Sequence, residues 1–354
     1  MTETRTLTIN RLPGPTWRWL KVNDAKVAVP VPAGGCEITR EIPAGLICEE
    51  GVPSSTEIET GMGGEVDSMI MESGVSPDRY TLKEGAAEGP LRLTYTCGGD
   101  GANDTLICLG DGAELSVIMT FLAEEGAEGT FLHRTKACLG KGAVLHLVQV
   151  QDLGKDVTFL CDVGTDHEED AGLDLVQVVL SGKDTYLGER AGLAGKGSWL
   201  DLNIGYRAGA GESIDMNYDA YHTGRRTRCE INAGGVLYAG AKKLFRGTID
   251  FQPGCSGAVG SEKEDVLLMD DDVTNQTIPL ILCAEEDVAG NHGATIGQPD
   301  EEILFYMESR GISREAAYDL LAGSRIRAAA GHIKDEKTRE YIERVLEGGM
   351  RHDG

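Results

Sequence analysis

One turn phrase recurs along this chain and limits what it can become. Leu109-Gly-Asp-Gly-Ala-Glu-Leu115, Leu139-Gly-Lys-Gly-Ala-Val-Leu145, Ala194-Gly-Lys-Gly-Ser-Trp-Leu200 and Ala208-Gly-Ala-Gly-Glu-Ser-Ile214 are variants of it, and Tyr238-Ala-Gly-Ala-Lys-Lys-Leu244 is a weaker fifth. Their second glycines, Gly112, Gly142, Gly197, Gly211 and Gly240, stand 30, 55, 14 and 29 residues apart, near 2, 4, 1 and 2 units of about 14 residues. Between the phrases lie β-rich runs: Leu115 to Leu122, Val144 to Val150, Val157 to Val163, Leu173 to Leu180, Trp199 to Tyr206 and Val236 to Phe245. Many alternate apolar with polar, so one face is buried and the other is not. Short strands punctuated by one repeated turn predict stacked coils, each burying its apolar face on the next. Glycine suits a corner that needs positive φ. An antiparallel sandwich also spaces its strands closely, but it does not need the same turn phrase to return.

The reading is therefore mainly β: a parallel β-helix (solenoid) core over 95–297, an N-terminal mixed cap region over 1–94 and a C-terminal helical subdomain over 298–354. Near Gly64–Ser73 a short helix is expected, and the region before residue 95 is expected to cap the first coil. Beyond Gly297 the pattern changes. Pro299 with Asp300, Glu301 and Glu302 forms an acidic first turn, and Gly311 ends that helix. Ser313 caps a second helix to about Ala330, and Asp335 opens a third in which Tyr341, Ile342, Val345 and Leu346 share a face.

Composition excludes several classes of function. The formal net charge of -25 repels phosphate backbones and anionic membrane surfaces, so neither nucleic acid nor membrane is an expected partner. The opening MTETRTLTINRLPGPTWRWLK has no apolar h-region, and no run of about 18 apolar residues follows, which leads to a cytoplasmic expectation. Nine cysteines without a CxxC give poor support to a zinc ribbon, and in a reducing compartment most are expected to be free.

Chemistry concentrates in 279–313. There a strand-like run carrying Cys283 leads into Glu285, Glu286 and His292 and then into a helix. Thiolate and imidazole suit iron or zinc, and carboxylates can complete a shell. A cysteine in an apolar run is also ordinary core material, and paired acids after a strand are ordinarily a solvated turn. Cys255, in Pro253-Gly-Cys-Ser256, follows a turn that can expose a thiol as a ligand or bury it.

Taken in order, His222-Thr-Gly, Gly235-Val-Leu-Tyr-Ala-Gly-Ala-Lys-Lys-Leu-Phe-Arg-Gly247, Val266-Leu-Leu-Met-Asp270, His292-Gly-Ala-Thr-Ile-Gly297 and Leu304-Phe-Tyr-Met-Glu-Ser-Arg-Gly-Ile312 closely resemble the SufB/SufD family. Leu12-Pro-Gly-Pro-Thr-Trp-Arg-Trp-Leu-Lys21 is similar to that family's N-terminal entry. The resemblance implies a scaffold component for iron-sulfur cluster assembly, built as a right-handed β-helix and holding or transferring a transient cluster. It implies a second SufB- or SufD-like protomer, in a homodimer or heterodimer, and an ABC-type ATPase, SufC, bound through the C-terminal helices. A cysteine desulfurase system would take part indirectly. His292 matches the histidine of the SufD-type motif, whereas the cysteine of SufB's Gln-Cys-Asp motif falls on Glu264. In this light His292 and Cys283 are the expected metal ligands, with Cys255, Glu285 and Glu286 as further cluster-binding candidates. Tyr306, Met307 and Arg310 are the expected ATPase contacts, although Phe305, Tyr306 and Met307 can instead plug the solenoid.

No nucleotide site is expected in this chain. Gly140-Lys141 and Gly195-Lys196 are each followed by glycine rather than Ser or Thr, and no GxGxxG occurs. The chain is accordingly not expected to be an enzyme. Two other classes stay open: a SufD-like adaptor that recruits the ATPase without holding a cluster, and a β-helix carbohydrate-active enzyme. Three Trp and six Phe are few for a sugar-stacking platform.

Overall fold

The computed structural model describes residues 3–349 apart from 15, 17, 33, 55 and 56. Pro15 and Trp17 of the N-terminal motif and residues 350–354 of the expected C-terminal subdomain lie outside the described residues. Two nine-stranded sheets form a parallel β-solenoid. Sheet I runs Val288–Gly297, Ala258–Leu268, Arg228–Leu237, Trp199–Ala208, Gly172–Ser181, Val144–Asp152, Glu114–Ala123, Leu91–Cys97 and Glu37–Glu41. Sheet II runs Thr274–Cys283, Lys242–Phe251, Ser213–His222, Asp184–Leu193, Val157–His167, Gly129–Leu139, Gly101–Leu109, Asp78–Leu82 and Ile47–Glu49. The chain gives strands to the two sheets in turn, so neighbours within a sheet are one coil apart. Phe159 pairs with Thr185, Glu114 with Val144 and Arg228 with Val259, which makes a coil 26 to 31 residues, or two of the short sequence units.

The repeated phrase is the corner of these coils. Gly112, Gly142, Gly197, Gly211 and Gly240 have φ of 66°, 65°, 75°, 79° and 77°, where an L side chain is strained. The corners also bond to one another: the amides of Gly112, Gly142 and Gly197 donate to the carbonyls of Lys141, Glu169 and Arg225 at 2.8, 2.8 and 2.9 Å. Asp170 and Arg226, at φ 58° and 57°, fill the same corner where glycine is missing, which is why the spacing from Gly142 to Gly197 skips a unit. One expected run needs correcting. Val236 to Phe245 is not a single strand, because the corner at 238–241 divides Arg228–Leu237 from Lys242–Phe251.

Leucine, valine and aromatic side chains of both sheets fill the solenoid interior, including Phe121, Phe131, Phe159, Tyr218 and Phe245. The sheets begin before residue 95, for strands at 37–41, 47–49, 78–82 and 91–97 belong to them. At this first end the short strands Glu37–Glu41 and Ile47–Glu49 pair antiparallel and are the last strands of the two sheets. A hairpin of Thr4–Ile9 with Ala25–Pro30 and helix α1 (Gly64–Glu72) pack on the outer face of sheet II through Leu7, Val29, Met69, Leu132 and Leu160.

Helices α2 (Glu301–Ser309), α3 (Arg314–Ala330) and α4 (Glu336–Gly349) follow the last strand. Asp300 and Ser313 cap α2 and α3 by accepting from Glu302 and Ala316 amides. Helices α3 and α4 cover the outer face of sheet I, where Ile326, Ile342 and Leu346 meet Ile118, Val148 and Val176. Gly205 permits that approach: a Cβ there would lie 2.9 Å from the Cβ of Ala329.

Candidate functional site: the open end of the solenoid

The two ends of the solenoid are treated differently. At the far end, Thr274–Cys283 and Val288–Gly297 terminate both sheets with ten-residue strands whose outer edges have no strand partner among the described residues. Nearly every residue of Val288–Gly297 is exposed. The C-terminal helices lie against the outer face of sheet I, and so leave this mouth uncovered.

Register identifies what faces into it. Cys283 pairs with Phe251, an interior ring, and His292 pairs with Glu262, an interior carboxyl. Cys283 and His292 are both exposed, on the last coil. A Cβ at Gly290 would stand 3.0 Å from Ile281, which places these two residues opposite each other across the mouth. By the same alternation His292 faces Pro279, and Cys283 is four residues further along, about 13 Å at strand rise. Cys283 therefore stands at one end of the opening and His292 near its middle. Among the described residues no three of His, Cys, Asp and Glu gather in a group that could hold a metal ion.

The floor of the mouth, one coil below, is charged. Lys243 Nζ lies 2.5 Å from Glu264 Oε1, with both side chains buried. Tyr206 donates to the same oxygen at 2.9 Å, and Thr277 donates to Glu264 Oε2 at 2.6 Å. Burial lowers the pKa of Lys243, while Glu264 opposes that effect. Beside this pair Glu262 is buried with Oε2 unpartnered. Burial first, then the Glu264 charge, pushes its pKa up to about 8. A side chain at Gly247 would collide with Glu262, so the glycine makes room for the carboxyl.

Beneath Cys283 the Phe251 ring packs tilted against His222, with centroids 4.9 Å apart, and His222 Nε2 is 3.3 Å from Cys229 Sγ. Burial holds the His222 pKa down, to about 4, and pushes the Cys229 thiol up. Both are neutral packing groups.

Cys255 is a further cluster-binding candidate. It is wholly buried in the corner after Pro253, and burial together with the nearby Glu285 charge raises its thiol. Glu285 is half-buried and Glu286 exposed in the next corner. Glu285 accepts from the Gly254 and Glu286 amides, both at 3.0 Å, which holds its carboxyl below the usual range. The alternative that α2 plugs the solenoid also fails, since Phe305 and Tyr306 are 72% and 58% exposed. Arg310 stands over the Tyr306 ring at 5.2 Å, and Leu304 alone on α2 is buried. The Lys243 and Glu262 floor was hidden in the sequence. Ser261-Glu-Lys-Glu-Asp265 is polar at every position, so period-2 alternation vanishes and only register reveals which carboxylates face inward.

No helix among the described residues is long and apolar enough to cross a membrane. The family model for SUF system FeS cluster assembly, SufBD core domain, matches residues 96–325. The chain is 29% identical over 182 residues to the iron-sulfur cluster assembly protein SufB of Bacillus subtilis, covering 51% of this chain and 39% of that protein. It is 23% identical over 277 residues to SufD of the same organism, covering 76% of this chain and 62% of that one. An iron-sulfur cluster assembly SufBD family protein of Staphylococcus epidermidis is 25% identical over 248 residues, 68% of this chain and 53% of its own length. The chain thus spans between 39% and 62% of the length of these relatives. With a parallel solenoid whose matched segment runs through both sheets into α3, the chain belongs to the SufBD core family of iron-sulfur cluster assembly proteins.

Proposed function

We propose that this chain is an assembly scaffold and that the mouth of its solenoid receives the iron-sulfur cluster, which is cargo rather than a resident cofactor. One observation carries the reading: a thiol and an imidazole stand exposed on the two strands that leave both sheets unfinished. Thiolate and imidazole are the side chains that hold iron in such clusters. His292 and Cys283 serve as ligands, Glu285 and Glu286 frame the corner beside Cys283, and Cys255 packs. The separation of His292 from Cys283 favours a ligand set completed across two protomers. A second SufB- or SufD-like chain, or a copy of this one, adds its edge strands to the exposed edges by backbone pairing.

A SufC-like ABC ATPase docks on α2 through Tyr306, Met307 and Arg310. Tyr306 and Arg310 are exposed, with the guanidinium over the ring, and Met307 is half-buried beside them, which offers an apolar, cationic surface. Nucleotide chemistry belongs to that partner, sulfur comes indirectly from a cysteine desulfurase, and this chain catalyses no reaction of its own in the cytoplasm. The test is anaerobic reconstitution of the full chain with its ATPase. Uptake of iron and sulfide in equal amounts, with visible charge-transfer absorbance, supports the scaffold. A stable complex that takes up neither supports a SufD-like adaptor instead.

A further inference from the structure

Cys108 and Cys138 are exact register partners on adjacent strands of sheet II, on its outer face, and both are partly exposed. In-register residues on neighbouring parallel strands have Cα atoms about 4.8 Å apart, inside the disulfide range of about 4.4–6.8 Å. The sequence hides this pair, because the two cysteines are one coil apart. We propose that Cys108 and Cys138 form a dithiol site that exchanges with small disulfides and closes reversibly into a bond between two consecutive coils.

The two thiols are inequivalent. Cys108 is stabilised as the thiolate by a hydrogen bond from Cys138 and by the Arg79 charge, which bring it down to about 7 against the opposing effect of burial. Cys138 is raised by that same bond, by burial and by Asp166, its register partner on the next coil. Cys108 is thus the attacking group. Its thiolate attacks one sulfur of a small disulfide, forming a mixed disulfide and releasing one small thiolate that takes a proton. Cys138 then loses its proton and attacks the Cys108 sulfur, releasing the second small thiol. Two electrons pass to the small disulfide, and both thiol hydrogens end on the released thiols. Parallel strands hold the two Cβ atoms side by side rather than pointed together, so closure strains the sheet and the bond is readily reduced.

A second thiol pair acts as an internal control. Cys97, a free thiol hydrogen-bonded by Cys36, is also lowered to about 7, yet it is wholly buried with Sγ donating to the Gly99 carbonyl at 2.9 Å. Acidity alone does not give exchange, and a small disulfide cannot reach this thiol. The lone exposed Cys283 has no resolving partner and should simply keep an adduct.

The test treats the full chain with oxidised glutathione and maps each cysteine by mass spectrometry. The wild type is expected to yield Cys108 and Cys138 joined in one cross-linked peptide, an adduct retained at Cys283, and free Cys97. In Cys138→Ser the glutathione adduct is expected to stay on Cys108, and in Cys108→Ser Cys138 should react at least tenfold more slowly. An adduct that persists on Cys108 in the wild type without the cross-link overturns the proposal, as does equal reactivity of the two single variants. Unchanged thermal unfolding of both Ser variants before treatment keeps either result from being a folding defect.

Discussion

At Glu262 a carboxyl is buried beside the Lys243–Glu264 pair with one oxygen unpartnered, and its pKa in the fold is about 8. In the unfolded chain a glutamate titrates near about 4.3. Below that value the group is protonated in both states and costs nothing. As pH rises through the window, unfolding releases a proton that the fold retains, so stability falls until Glu262 itself ionises. Glu262→Gln removes the effect. From about pH 5 to pH 8 the urea midpoint of the wild type should fall relative to that of Glu262→Gln, and parallel curves would refute the burial argument. At this scale the sequence was legible where a candidate side chain broke a pattern, as His292 does in its glycine-flanked run. It was opaque where every residue was polar, because the inward face of Ser261–Asp265 is set by pairing with neighbouring coils. The burial of Cys255 was opaque for a related reason: a Pro-Gly turn says where the chain bends, not whether the next coil will cover it.

Among the elements, the corners carry the strongest local constraint. Gly142 sits at φ 65° in the bonded corner ladder, and a left-handed backbone costs an L residue about 1–2 kcal/mol. Gly142→Ala should lower stability by about that much in chemical unfolding, while Gly140→Ala, whose Cβ would stand 2.9 Å from Asp111, tests crowding rather than backbone. The repeat and the C-terminal helices were readable in advance because glycine spacing and caps are local signals, and Asp300 and Ser313 do cap. The division of the repeat between two corners was not, since alternate corners share one phrase and only the sheet order separates them. Helix α2 shows a different limit. Its apolar stripe suggests burial, but Phe305 and Tyr306 face solvent. Replacing both by Ser should leave unfolding within about 0.5 kcal/mol of wild type and weaken ATPase binding in calorimetry at least tenfold. Loss of fold together with binding would instead make α2 structural.

For the whole molecule, asymmetry is the informative property. One end of the solenoid finishes in antiparallel strands of only five and three residues, while the other presents two ten-residue edges. Short edge strands are poor templates for pairing and long ones are good templates, so the proposed partner belongs at the second end. The candidate ligands Cys283 and His292 lie on those same strands, so under the proposed function pairing and cluster handling are linked by geometry. The most direct measurement is the iron and sulfide content after anaerobic reconstitution of the full chain with its ATPase, for wild type, His292→Ala and Cys283→Ala. The account predicts that both variants fold and bind the ATPase as wild type does but retain less than half of its cluster. Wild-type cluster content in both variants would contradict it.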